Sequence, residues 1–562
     1  MSDLKEYVVT CKSRNDLDQL YDDMETPGGN LYIPDRAVDL VHRRAISRNT
    51  HYMLTDAEAV DVGNDPRVLA CELTAEEQGF VPDYLWEQTG DFEKTTGALN
   101  SDDKNWGLYR VIEGDTVSNW GSNGTTEISN RTIRTTLSGK NVDVVIVDGH
   151  VNPDHPEFAV NIDGSGGSRV NQFNWFQYSS ALGYSTGATY TYSTSGSSPN
   201  TNHGTHVAGT ACGNTQGWAR DANIYNMAFS STLAGVSTWD YKLWDYLRYF
   251  HLNKAINPNT GRRNPTVTNH SWGYSGTRYY SNITSVTYQG TTTDLSSMTS
   301  AQRRTALNDR GCPTNVSSSY LYRMPVRVTA TEADIQDALD EGVIIISSAG
   351  NSYWNCAIST DNDYNNSIVN SGSTNYHTRG STPGSADNVI CVGSIGSKTA
   401  EYKSGFSNWG SRVDIWAPGS DIISAVYDQS SAISEGYGSG STLPSDPRNS
   451  SYYLASISGT SMASPQVCGV IACLAESEQN INQTDALNYL QENSLPEVGD
   501  YGNDPIKSPY EGLGSDTVNR YLFLKKKRDV TGSFQNNTYR NRKPSVSGVK
   551  YPRRNTMVTK TV

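Results

Sequence analysis

The sequence predicts an α/β fold with a mostly parallel central sheet covered by helices. Three observations carry that prediction. Short, continuously apolar runs recur from Val142 onward, at Val142–Val147, Asn223–Phe229, Thr266–Asn269, Val343–Ile346, Val389–Val392 and Val413–Ile415. Such runs belong to strands buried on both faces, as parallel strands are. Helical stretches separate them. Polar residues with chemical potential also stand just past two of the strands, Asp148 and Asn351, while His203 and Ser461 open small-residue helices. Sites in open α/β sheets form beyond the carboxyl ends of the strands.

Ahead of that core, residues 5–75 read as a small mixed unit. Glu6–Cys11 is a strand, and Asn15–Met24 a helix with Asn15 as its cap. His51–Leu54 is a second strand, Thr55–Val62 a short helix and Arg67–Leu73 a final strand, with a turn at Asn64-Asp65-Pro66. We place this domain at 1–77. Residues 78–104 are polar and irregular and read as a linker. The α/β unit spans 105–524. Three Ser/Thr/Tyr/Gly-rich stretches interrupt it, near 274–328, 352–381 and 426–453. Loops of that length tend to be functional or mobile. Residues 525–562 form a basic tail, poor in apolar residues, that reads as extended on its own.

The 562 residues exceed one ordinary core. The hydrophobic share is 36% and the mean hydropathy -0.57, which fits large polar insertions. No run approaches the ~18 apolar residues of a membrane helix, so no membrane partner is expected. The N-terminal Met1-Ser-Asp-Leu-Lys-Glu-Tyr has no apolar signal region. The expectation is therefore an intracellular or virion-associated protein. Eight cysteines without a CxxC pair read mostly as buried thiols; Cys312 and Cys356 lie in polar stretches and could pair. The net charge of -14 hides an asymmetry. Residues 525–562 hold 11 of the 45 basic residues and one of the 59 acidic ones, leaving 34 against 58, a net -24, on the rest. The tail either folds back on its own acidic body or docks to an acidic partner or virion component.

Gly459-Thr-Ser-Met-Ala-Ser-Pro465 puts Ser461 on a turn before the apolar run Val467–Leu474. Pro465 fits an early helical position, where a missing N–H costs nothing. A serine at a helix N-terminus meets free backbone N–H groups, which an acyl-transfer oxyanion needs. Serine catalysis further needs a base, an acid that orients it and a second oxyanion donor. The candidates are His203, in Asn202-His-Gly-Thr-His206; Asp148, ending Val144-Val-Ile-Val; and Asn351, ending Ile346-Ser-Ser-Ala-Gly. Singly, each has an ordinary explanation as a cap, core histidine or turn. The four together, in the order Asp, His, Asn, Ser, do not. No HExxH or third ligand accompanies His203 and His206, so no metal is assigned.

These segments resemble the catalytic and oxyanion motifs of the subtilisin family of serine proteases, proteinase K type. Trp106-Gly-Leu-Tyr-Arg-Val, Thr382-Pro-Gly, Val389-Ile-Cys-Val-Gly-Ser, Phe406-Ser-Asn-Trp-Gly and Asp414-Ile-Trp-Ala-Pro-Gly extend the resemblance over residues 105–475 apart from the insertions. It implies the three-layer subtilisin-like fold, with Ser461 as nucleophile, His203 as general base and acid, Asp148 as its orienter and Asn351 as oxyanion donor. It also implies a polypeptide substrate lying along Ser271-Trp272-Gly273, with Ser348-Ala349-Gly350 as the opposite wall of the primary specificity pocket. No cofactor is required for the chemistry; structural calcium is open but not assignable. The N-terminal unit resembles the family's inhibitory propeptide, a small α+β ferredoxin-like domain. It implies an autoinhibited precursor, with the propeptide as intramolecular inhibitor and autocleavage within 75–105. One departure stands out. Where the family has Ser or Thr after the catalytic Asp, this chain has Gly149-His150, so a hydroxyl that supports the carboxylate is missing unless His150 replaces it.

Tyr521–Arg528 and Lys550–Arg554 resemble tail segments of virion structural proteins from tailed phages. The alternative to an endopeptidase is accordingly a structural or binding protein of a virion on a subtilase scaffold with weak or lost activity. A nucleic-acid enzyme rests on the tail charge alone.

Overall fold

The structure is a computed structural model. It describes residues 4–33, 39–43, 48–73, 86–89, 105–113, 132–135, 137–184, 189–190, 192, 201–228, 239–315, 317–396, 403–437, 442–495 and 520–524. Most of the expected cleavage segment 75–105 and the whole basic tail 525–562 lie outside the described residues. The chain divides into two compact units, the second spanning Tyr84–Lys526.

The N-terminal unit runs strand Lys5–Cys11, helix Leu17–Glu25, strands Asp39–Arg43 and Asn49–Leu54, helix Asp56–Gly63 and strand Val68–Leu73. Its sheet is antiparallel, in the spatial order Asp39–Arg43, Asn49–Leu54, Lys5–Cys11, Val68–Leu73. This βαββαβ arrangement is ferredoxin-like. Tyr7, Val9 and Cys11 alternate inward along the first strand and pack with Leu20, Met24, Tyr52, Leu54, Val62 and Val68. Two local expectations need correction. The strand Asp39–Arg43 lacks the alternation that would announce it. The first helix is not capped by Asn15: the Ser13 side chain accepts from the Asn15 N–H and starts a 3-10 turn, Arg14–Asp16, ahead of the helix.

In the second unit seven parallel strands form the central sheet. Their order is Ile415–Pro418, Ile390–Ile395, Ile344–Ser348, Thr266–His270, Asp143–Asp148, Asn223–Ala228, Val170–Asn171. All six expected strands are present with their ends shifted by up to three residues; the short Val170–Asn171 is the addition. Alternate residues serve opposite faces. Val144, Ile146, Ile344, Ile346, Ile390 and Val392 pack beneath Val207, Ala208, Val467, Val470 and Ile471. Val145, Val147 and Ile345 pack beneath Leu243, Trp244, Leu247, Ile335 and Leu339 on the other side. The result is three layers, helix on sheet on helix. On the first face lie the histidine helix, Thr201–Cys212, and the serine helix, Thr460–Ser477. Small residues set their approach. A Cβ on Gly469 would sit 2.6 Å from the Ala211 carbonyl oxygen, and one on Gly204 2.5 Å from that of Gly149.

The linker expectation also changes: Trp86–Thr89 is a strand, paired antiparallel with Thr132–Thr135. The larger revision concerns the insertions. The stretches near 274–328 and 352–381 are not separate loops. They join in one four-stranded antiparallel sheet, ordered Thr291–Asp294, Ile283–Tyr288, Ser367–Asn370, Ser373–Tyr376. The sheet has its own core, with Ile283, Val286, Leu295, Leu307, Leu321, Trp354 and Ile368. Arg303, on the helix Ser300–Asn308, donates to the carbonyls of Tyr280, Ser281, Ile283, Ser296 and Met298. One guanidinium thus satisfies carbonyls from two stretches of chain, 280–283 and 296–298. Cys312 and Cys356 are both buried free thiols, and Cys312 faces His377 at 3.5 Å. The third insertion carries the helix Gln429–Ser434 and adds the strands Ser445–Asp446 and Asn449–Ile457 to Ile422–Val426. Among the described residues no helix is long and apolar enough to cross a membrane.

Candidate active site

Asp148 ends its strand almost fully buried, and its Oδ1 accepts two hydrogen bonds. One comes from its neighbour's N–H at Gly149, 2.7 Å, the other from His203 Nδ1, also 2.7 Å. The network assigns the proton to Nδ1 and leaves Nε2 as the basic nitrogen. Burial alone would lower the His203 pKa, but the Asp148 charge, the bond to it and the Glu435 charge outweigh it, and the pKa is raised. Glu435 belongs to the third insertion. Its Oε2 accepts from Asn202 Nδ2 at 3.2 Å, and the same amide donates to Ser431 Oγ at 2.8 Å. Asn202 Oδ1 accepts from the Tyr427 N–H at 2.9 Å. The residue before the histidine is thus tied to the insertion on both sides of its amide.

The missing hydroxyl has a visible consequence. Asp148 Oδ2 is buried and has no hydrogen-bond partner among the described residues. His150 does not replace it. Its ring stands edge-on to Tyr192, 6.1 Å between centroids, and burial pushes its pKa down to about 4, so it is neutral. His206, the other histidine of the motif, is a core residue. Its Nε2 lies 2.9 Å from the Ile422 carbonyl and 3.1 Å from that of Ala455, and burial lowers its pKa to about 3.

Ser461 is the second residue of its helix, behind Gly459 in an extended conformation. Its Oγ donates to the Ser271 carbonyl at 3.2 Å, not to His203, and Ser271 Oγ donates back to the Ser461 carbonyl at 2.9 Å. Pro465 explains the second bond and corrects an expectation. Expected at an early helical position, it is the sixth residue, inside the helix. A proline there removes the N–H that would bond to the carbonyl four residues earlier. That carbonyl is Ser461's, and Ser271 takes it. Ser464 Oγ to Asn269 Oδ1, 2.6 Å, and Asn269 Nδ2 to Ser271 Oγ, 2.9 Å, continue the tie. This use of Pro465 was readable in principle from its spacing to Ser461.

Asn351 is exposed, and Thr460 fixes its orientation. Its Oδ1 accepts from the Thr460 N–H at 2.8 Å and from Thr460 Oγ1 at 2.7 Å. Its NH₂ therefore points the other way, to within 3.3 Å of where a Gly459 Cβ would stand. Gly350, at φ +103, makes the bend, and Gly350 N–H donates to Thr460 Oγ1 at 3.1 Å.

Of the expected substrate contacts, Ser348 ends the strand Ile344–Ser348, and the Ala349 N–H bonds to the Val392 carbonyl. Ser271, Trp272 and Gly273 follow the end of Thr266–His270 and lie outside any strand. Among the described residues no three His, Cys, Asp or Glu side chains gather as a metal site.

Residues 139–514 match the profile of the family described as "Subtilase family". The chain is 36% identical over 155 residues to Subtilisin-like protease 3 of Trichophyton equinum, a match spanning 28% of this chain and 29% of that protein. It thus covers under a third of the length of that curated relative. Similarity to the alkaline proteinase of Hapsidospora chrysogena is longer, 25% over 495 residues, 84% of this chain and 87% of that one. Among solved structures, a cold adapted subtilisin-like serine proteinase aligns at 21% identity and a TM-score of 0.42, over 75% of this chain and 98% of that one.

Proposed function

The chain belongs to the subtilase family, and from that premise we propose that it is a serine endopeptidase working through an acyl-enzyme. The observation that carries the reading is the buried Asp148–His203 hydrogen bond, which leaves Nε2 free of protein partners among the described residues. On this reading an extended polypeptide lies between 271–273 and 348–350. Ser461 Oγ turns from the Ser271 carbonyl toward His203, gives its proton to Nε2 and bonds to the scissile carbonyl carbon. Catalytic hydrogen bonds are often unformed without substrate. The oxyanion takes hydrogen bonds from Asn351 Nδ2 and the Ser461 N–H. His203 then passes its proton to the leaving amine as the C–N bond breaks, and water repeats the cycle on the ester. No step calls on a cofactor.

The ferredoxin-like N-terminal unit supports synthesis as an autoinhibited precursor cleaved within 75–105. A fluorophosphonate probe tests the enzymatic reading: the expected result is a Ser461 adduct, located by mass spectrometry. Processed, folded chain that takes up no label at Ser461 would leave the scaffold reading standing instead.

The raised His203 pKa fixes a pH dependence. The base must be neutral to act, so kcat/KM falls as pH drops through that pKa. The acid limb is expected above the ordinary imidazole range. Glu435→Gln removes one of the charges that raises it, so the limb should move to lower pH, more at low than at high ionic strength. A pH–rate profile at two salt concentrations checks this; an unmoved limb would show that Glu435 has no hold on His203.

A further inference from the structure

Lys403 is 2% exposed, yet among the described residues no carboxylate faces it. Its ammonium is met by three backbone carbonyls instead: Ser407 at 2.8 Å, Ser404 at 3.1 Å and Gly405 at 3.5 Å. Burial pulls its pKa down to about 7, so the group is fully charged only below neutral pH, where the converging carbonyl dipoles offset part of the cost of the charge.

The 403–408 turn has two neighbours of consequence. The residue after Ser407 is Asn408, which brackets the oxyanion loop. Its N–H donates to the Gly350 carbonyl and its Nδ2 to the Ala349 carbonyl, both at 2.8 Å. Its Oδ1 accepts from the N–H groups of Ser352 and Trp354 at 3.1 and 2.9 Å. Every one of these bonds is to a residue next to or near Asn351, and none is to Asn351 itself. On the other side, Ser404 Oγ lies 2.7 Å from Ser394 Oγ and 2.8 Å from Ser420 Oγ. The adjoining Gly419 carbonyl accepts from the Gly459 N–H at 2.8 Å. Gly459 opens the turn that carries Ser461.

We propose that Lys403 is a positioning residue whose ammonium acts as a built-in cation, locking the 403–408 turn as a common support for the oxyanion loop and the nucleophile turn. Its kinetic consequence rests on the protease reading above; its mechanical part does not. With the cation gone, the Ser407 and Gly405 carbonyls lose their donor, while that of Ser404 keeps the Ser407 N–H at 2.9 Å, and the turn is held far less tightly.

Hydrogen exchange on the full chain, wild type against Lys403→Met, tests the mechanical part. The expected result is exchange at least about tenfold faster in peptides covering 349–354 and 457–462, with the strand Asp143–Asp148 unchanged. Unchanged exchange in a folded variant, or an even rise across the chain, overturns the proposal. Should Lys403→Met fail to fold, Lys403→Gln, which keeps a donor but not the charge, takes its place under the same criteria. Fluorophosphonate labelling then reads the consequence: Ser461 should react roughly 10- to 100-fold more slowly. Asn351→Ala added to Lys403→Met should cost less than its own single loss, because the donor is already misplaced. Fully additive losses overturn the link to Asn351. Wild-type chain that is never labelled defeats the protease reading, while exchange still decides the role of Lys403.

Discussion

Ser461→Ala should lower kcat for peptide hydrolysis by roughly 10⁶-fold, a magnitude carried over from this family rather than derived from this chain. The fold should survive it. Among the described residues the Ser461 hydroxyl makes one hydrogen bond, to the Ser271 carbonyl, and loss of a single neutral bond costs about 1 kcal/mol. The return bond from Ser271 goes to the backbone carbonyl of residue 461, which alanine keeps. The variant therefore separates chemistry from architecture. It should also accumulate as full-length precursor, whereas N-terminal sequencing of the wild type should find a new terminus within 75–105. Active wild type with an intact N-terminus would sink the precursor reading while leaving the peptidase reading to the kinetic comparison.

Arg448→Met should cost about 3–5 kcal/mol of unfolding free energy. Arg448 lies on the turn between Ser445–Asp446 and Asn449–Ile457 of the third insertion. Its guanidinium bonds both Asp446, 2.6 Å, and Glu157, and each carboxylate is 0% exposed. Glu157 in turn accepts from the Thr215 and Gln216 N–H groups at 3.0 Å and from Thr215 Oγ1. The cation thus ties the insertion to the loop that follows the histidine helix. Removing it strands two buried carboxylates. The penalty comes from those charges rather than from the lost contact, so replacing all three, as Glu157→Gln, Asp446→Asn and Arg448→Met together, should destabilise less than Arg448→Met alone. Denaturant unfolding of the single and triple variants decides it; a triple variant as unstable as the sum of its parts would contradict this account.

The parallel sheet was legible because burial on both faces leaves Val/Ile runs that no half-buried strand shows. The polar groups of the proposed site were legible because each stands at a strand end or helix start. Other features were not, for identifiable reasons. Val170–Asn171 is too short to carry a pattern. Asp39–Arg43 mixes Asp, His and Arg into its run. The lobe sheet is built of Thr, Ser, Asn and Tyr on its exposed face, so Thr291–Asp294 and Ser373–Tyr376 read as polar loop. Pro465 looked like an initiator because an N-terminal proline is the common case; only the Ser271 hydroxyl shows why one inside the helix is tolerated. The gap left by Gly149 was visible in sequence, but whether His150 filled it depended on ring placement. Lys403 gave no signal, since a lone lysine ordinarily marks a solvated surface.

The sheet assembled from two separated insertions bears on the order of folding. Val286 pairs with Ile368 across the lobe, and the chain between them includes the helix Thr329–Asp340 and the core strand Ile344–Ser348. Pairing distant strands first would incur the full loop-closure entropy. Once the central sheet has formed, it holds the two stretches together and the lobe zips at little further cost. The lobe is therefore a late passenger on the core. It is also written in two places in the chain: deleting either stretch alone would leave the other with an unpaired sheet edge.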